Sequence, residues 1–153
     1  MSDVHYMQLA IAEAQAAELA GEVPVGAIVV SGEGEIVGRG NNQVLRTSDP
    51  TAHAEIVALR AAGLARSNYR LTGSTLFCTL EPCAMCAGAI LHARVARLVY
   101  AAPDPKAGAC GSVLHVMNHP QLNHRVNVSS GLLAKDSTTL LVNFFRSRRS
   151  LRM

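Results

Sequence analysis

Thr79-Leu80-Glu81-Pro82-Cys83-Ala84-Met85-Cys86-Ala87-Gly88 reads as a strand running into a helix, and the rest of the chain is organised around it. Pro82 suits the first helical position, where a missing N–H costs nothing. Cys83 and Cys86 then stand three residues apart on one helix face, so both sulfurs aim at one point. They lie in the opening turns, where unpaired N–H groups and the helix dipole favour negative charge. Thiolate is the metal-binding form of cysteine, so the placement favours ligation. Taken alone, the pair is equally compatible with two small residues packing a helix start.

A second stretch, Thr51-Ala52-His53-Ala54-Glu55, changes the balance. Two thiolates and one imidazole make three protein ligands and leave the fourth tetrahedral position of Zn²⁺ open for water. His53, Cys83 and Cys86 are therefore the expected metal ligands. H-x-E followed by P-C-x-x-C resembles the signature of zinc nucleobase deaminases. Glu55, not itself a ligand, is the expected catalytic acid–base group, moving a proton from water to a ring nitrogen and to departing ammonia. A closed apolar pocket raises a carboxylate's pKa toward the working pH. The competing possibility is a structural zinc site, with a fourth ligand from His5, His92, His115, His119 or His124.

The chain has 153 residues, 49% hydrophobic and 16% charged, enough for one folded domain, 1–153, and too apolar for a disordered chain. No apolar run reaches the roughly 18 residues of a membrane span. The opening Met1-Ser2-Asp3-Val4-His5 lacks signal-peptide character, so a cytoplasmic location and free thiols are expected. Cys78 and Cys110 are expected to be small core residues. Net charge is +3, and four of the 14 Lys and Arg residues fall in Phe144-Phe145-Arg146-Ser147-Arg148-Arg149-Ser150-Leu151-Arg152. On a helix Arg146 neighbours Arg149, and Arg148 neighbours Arg152, which suits phosphate binding.

In chain order, Asp3–Ala20 is helical by spacing, with Gly21 as the stop. Residues 25–30 and 36–40 form a hairpin about a turn at 31–35. Asn41–Pro50 reads as loop. A helix follows to about Ala65, capped by Thr51 or by Asp49 with Pro50 at its first position. Strand 75–80, helix 83–92, strand 97–102, a loop to Gly111, a short helix near 113–117, a strand at 126–128 and a helix at 132–149 complete the pattern. A hairpin followed by strand–helix alternation predicts a three-layer α/β/α domain with a mixed, mostly five-stranded central sheet.

Along nearly its whole length the chain resembles the bacterial tRNA adenosine deaminase family, within the cytidine-deaminase superfamily. The resemblance is carried by Glu22-Val23-Pro24-Val25-Gly26-Ala27, by Asp49 to Glu55, by Asn68-Tyr69-Arg70-Leu71, by Thr79 to Ala89 and by Asn123-His124-Arg125-Val126. It implies a cytidine-deaminase-like fold and conversion of the wobble adenosine of a tRNA anticodon, most typically an arginine tRNA, to inosine. It implies one zinc per subunit and a homodimer binding the anticodon stem-loop, with no membrane partner. It also implies substrate contacts at Asn42, Ala54, Asp104 and Lys106, and RNA contacts at Arg146, Arg148 and Arg149. Guanine and cytosine deaminases share much of P-C-x-M-C-x-G-A, so a free-base deaminase is the alternative.

Overall fold

The computed structural model describes residues 1–151; Arg152, paired above with Arg148, lies outside them. The elements are α1 (Asp3–Leu19), β1 (Gly26–Val30), β2 (Ile36–Asn41), α2 (Val44–Thr47), α3 (Ala54–Arg66), β3 (Thr75–Leu80), α4 (Ala84–His92), β4 (Arg97–Ala102), β5 (Asn127–Ser130) and α5 (Ala134–Leu151). The sheet order is β2-β1-β3-β4-β5. β1 pairs antiparallel with β2 and β3, whereas β3–β4 and β4–β5 are parallel. The mixed five-stranded sheet is the expected one.

Alternation along the strands builds two cores. Ile28, Val30, Phe77, Val99 and Ala101 pack with Tyr6, Met7 and Ala10 of α1. Their neighbours Ala27, Val29, Leu76, Cys78, Leu98 and Tyr100 pack with α3 and α4 through Ala54, Ala58, Ala87 and Ile90. Both faces are covered, so the central strands read as continuous apolar runs. Cys78 is fully buried in the second core, as expected, and Cys110 is half-buried at its edge. Among the described residues no helix is long and apolar enough to cross a membrane.

Helix α3 lies unusually close on β2. A Cβ added at Gly38 would sit 2.4 Å from the Ala58 carbonyl oxygen, and one at Gly40 2.3 Å from that of Ala54. Glycine at these two positions lets the helix backbone rest directly on the strand.

Four local expectations need correction. The segment 41–50 is not all loop: Val44–Thr47 forms a helical turn. Its amides at Leu45 and Arg46 donate to the buried Glu22 carboxylate at 3.0 and 2.8 Å, an acceptor supplied from outside the segment. Helix α3 starts at Ala54 with His53 as N-cap, not at Thr51 or Pro50. Asp49 Oδ1 accepts from the Thr51 N–H and hydroxyl, which folds that stretch into a turn ahead of the helix. Pro82 precedes the N-cap, Cys83, instead of opening the helix. Residues 113–117 form no helix; they fold back on 108–111, with Leu114 N–H donating to Gly108 O and Val116 N–H to Ala109 O.

Candidate active site

Two helix N-termini meet at the C-terminal end of β3. Cys83 is the N-cap of α4 and Cys86 its third residue, the two positions whose side chains meet in a capping box. His53 is the N-cap of α3. The His53 side chain makes no capping bond to its own helix, so it is free to face the two sulfurs. His53 Nδ1 lies 3.6 Å from Cys83 Sγ and 3.5 Å from Cys86 Sγ. Zn–N near 2.05 Å and Zn–S near 2.3 Å at the tetrahedral angle give an N···S edge of roughly 3.5 Å. The donor set and its spacing fit zinc. These three are the one such group of His, Cys, Asp and Glu among the described residues, with ligand atoms mutually within 4.8 Å. None of the other histidines supplies a fourth ligand, which leaves an open position.

The electrostatics agree. Hydrogen bonds from Cys86 and then His53 bring the Cys83 thiol down to about 3, while the neighbouring Cys83 sulfur and burial push Cys86 up. The bond to Cys83 raises His53 despite its partial burial. Metal ligation needs the sulfurs as thiolates and the ring neutral, so a bound cation would displace the protons these groups hold.

Glu55 is the second residue of α3, only 4% exposed. Burial pushes its carboxyl up, against the pull of its own N–H and the His53 charge. It lines a cleft of about 230 Å³ together with His53, Cys83, Asn42, Ala54 and Asp104. The Asn42 side chain sits in the wall, accepting from Val44 N–H at 3.3 Å and donating to Val23 O at 3.4 Å. Lys106 is outside this cleft. It lines a larger adjoining cleft of about 560 Å³ with Phe145 and Arg149, and the two clefts share Val23, Leu80 and Asp104.

Residues 1–102 match the family model described as the cytidine and deoxycytidylate deaminase zinc-binding region. The tRNA-specific adenosine deaminase of Haemophilus influenzae is 50% identical over 147 residues, 96% of this chain and 85% of that protein. Its counterpart in Agrobacterium fabrum is 44% identical, with 95% of each chain covered. The chain belongs to the tRNA-specific adenosine deaminase family. A solved chain from a study of A-to-I editing by tRNA:A34 deaminases at the wobble position superposes with a TM-score of 0.86. It is 44% identical and covers 90% of this chain and 99% of that one.

In this deaminase-family chain the remaining residues divide by what they touch. Arg146 and Arg149 are exposed on α5, and Arg149 faces Lys106 across the larger cleft. Arg148 is tethered instead: it donates to Gly21 O at 2.9 Å and lies 4.8 Å above the Phe144 ring. In Asn123-His124-Arg125-Val126, the His124 ring bonds Val95 O, and Arg125 donates to the carbonyls of His119, Pro120 and Leu122. That stretch knits its own loop together. Sequence reasoning gave no role to Glu22 or Glu81, each almost fully buried, Glu22 bonded to the first amides of α2 and Glu81 to the Asp104 amide of the cleft wall. An acid at the end of an apolar strand, as in Leu80-Glu81-Pro82, is the one signal that pointed to Glu81.

Proposed function

We propose that this chain performs zinc-dependent hydrolytic deamination of adenosine to inosine at the wobble position of a tRNA anticodon, with an arginine tRNA as its substrate. The observation that carries the reading is that one small cleft joins the His53, Cys83 and Cys86 cluster to a buried carboxylate, Glu55. Zinc held by those three residues supplies a Lewis acid that brings the ionisation of water into the neutral range. Glu55 takes a proton from water, donates it to the purine ring nitrogen and passes a proton to the departing amine, so adenosine and water become inosine and ammonia. Its burial raises the carboxyl's affinity for protons, which favours the donating half of this exchange. Asn42 and the Ala54 backbone hold the base. Asp104 and Lys106 border the anticodon loop at the cleft mouth. Arg146, Arg149 and the remaining N–H groups of Arg148 contact phosphates.

A wobble base is unpaired, so extruding it costs less than flipping a base from a duplex. The cleft mouth opens toward Lys106, Phe145 and Arg149, a cationic and aromatic surface suited to single-stranded RNA. Residues 1–153 act as one domain with one zinc per subunit, in the cytoplasm. A homodimer is supported by an open apolar groove between α3 and α4, where Leu64 and Tyr69 are 82% and 66% exposed.

The deciding test incubates zinc-loaded protein with an arginine-tRNA anticodon stem-loop carrying adenosine at the wobble position, beside free adenosine, cytosine and guanine. Inosine in the stem-loop alone is the expected mass-spectrometric result. Turnover of a free base without turnover of the RNA would overturn the tRNA assignment and favour the free-base alternative.

A further inference from the structure

Glu81 stands between the end of β3 and the Cys83 ligand, yet it takes no part in the chemistry above. Its side chain is 2% exposed. Oε1 accepts from the Asp104 N–H at 3.0 Å and from the Ser112 hydroxyl. Oε2 accepts from the Cys110 and Ser112 N–H groups at 3.0 and 3.1 Å. A carboxylate offers about four acceptor sites, and all four donors come from the segment following β4. Gly108 of the same segment passes so near that an added Cβ would lie 2.3 Å from the carboxyl carbon. The segment is wrapped around this one side chain.

The wrapping has a consequence for the clefts. Asp104 borders both of them, and its Oδ1 accepts from the Lys106 and Ala107 N–H groups, which forms the turn presenting Lys106. Glu81 itself is bonded through Pro82 to Cys83. One rigid stretch of backbone therefore locates both a metal ligand and the wall that faces the substrate.

We propose that Glu81 is a positioning residue for the RNA: it holds the wall 103–112 at a set distance from Cys83 and so governs affinity for the loop around the target base, without touching the reacting atoms. The proposal rests on the tRNA deaminase reading. A buried acid that merely supported the fold would lower stability or active fraction and leave KM alone. A positioning acid raises KM selectively.

The test uses the zinc-loaded full chain with Glu81→Gln, Gly108→Ala and the milder Ser112→Ala. Glutamine keeps one acceptor oxygen and turns an NH₂ toward the donors, while Gly108→Ala displaces the segment without altering any charge. Three readouts are taken: zinc per chain, amide hydrogen exchange, and KM and kcat on the stem-loop. Loss of a set of charge-assisted hydrogen bonds predicts KM about tenfold higher with kcat within about threefold for the first two variants, and a smaller rise for Ser112→Ala. Zinc content stays unchanged and faster exchange is confined to 103–112. An unchanged KM with reduced kcat, loss of zinc, or faster exchange across the whole chain would overturn it. If Glu81→Gln does not fold, Gly108→Ala and Ser112→Ala decide. If the unaltered chain makes no inosine, the functional reading fails by itself, while stem-loop affinity by fluorescence anisotropy and the exchange pattern still judge Glu81.

Discussion

Helices α3 and α4 begin in the same way and deliver different chemistry. Each has a metal-facing residue at the N-cap in extended conformation, His53 at φ −67°, ψ 155° and Cys83 at φ −75°, ψ 178°. Each points the positive end of its dipole at the cluster. The difference lies two or three residues further on. At its second position α3 carries Glu55, buried and short of solvation; at its third α4 carries Cys86, whose sulfur lies 3.5 Å from His53 Nδ1 at the start of α3. One local design thus presents a buried acid beside the cluster in one case and a second sulfur donor in the other. Helix α2 is the contrast, because its first amides are satisfied by Glu22 from elsewhere in the chain.

Breaking the α3 end has the largest effect expected. Glu55→Ala should keep zinc at the level of the unaltered protein, measured by atomic emission, and lower inosine formation by about 10²–10⁴-fold, the usual worth of an acid–base group. Retained turnover would remove Glu55 from its role. Breaking the α4 end works on the metal: Cys86→Ser should lose zinc and the stability linked to it. At a zinc level about a thousand times Kd that linkage is about 4 kcal/mol, read as a fall in Tm that matches chelator-treated unaltered protein.

The externally capped α2 sharpens the contrast through pH. Burial would raise the Glu22 carboxyl, but the amides of Arg46 and Leu45 and the Arg46 guanidinium together hold it below its ordinary 4.5. A carboxylate with a lowered folded pKa stabilises above its unfolded pKa and loses that contribution as pH falls through the folded value. Glu22→Gln should therefore cost about 2 kcal/mol at neutral pH. The gap between variant and unaltered protein should narrow in denaturant titrations as pH drops below 4.5. The smallest effects fall on α5. Arg149→Ala should weaken stem-loop binding a few-fold and reduce the salt slope by about one phosphate contact. Arg148→Ala should also lower α5 stability, since its guanidinium holds Gly21 O.

Much of this was legible because it is written in residue types and short spacings. Short apolar runs at 26–30, 75–80 and 97–102, set between turn and helix signals, and the H-x-E and C-x-x-C spacings pointed to the sheet and the cluster. Most of what escaped depends on partners outside the segment itself. The helical turn at 44–47 needs Glu22, the absent helix at 113–117 reflects bonding to 108–109, and the wall at 103–112 needs Glu81. Backbone amides have no sequence signature, so an acid that binds them looks like any other acid. The cap of α3 was misplaced because Asp49 binds Thr51 locally and so ends its turn before the helix begins.

The seating of α3 on Gly38 and Gly40 turns an edge strand into a shim. The depth at which Glu55 sits relative to the sulfurs is set by the thickness of β2 beneath the Ala54 and Ala58 carbonyls. A methyl group added at Gly40 would press on the start of the helix from below, from a position that lines neither cleft. Over evolutionary time, calibration of this catalyst would then show as intolerance of side chains in β2, on the far side of the helix from the reaction.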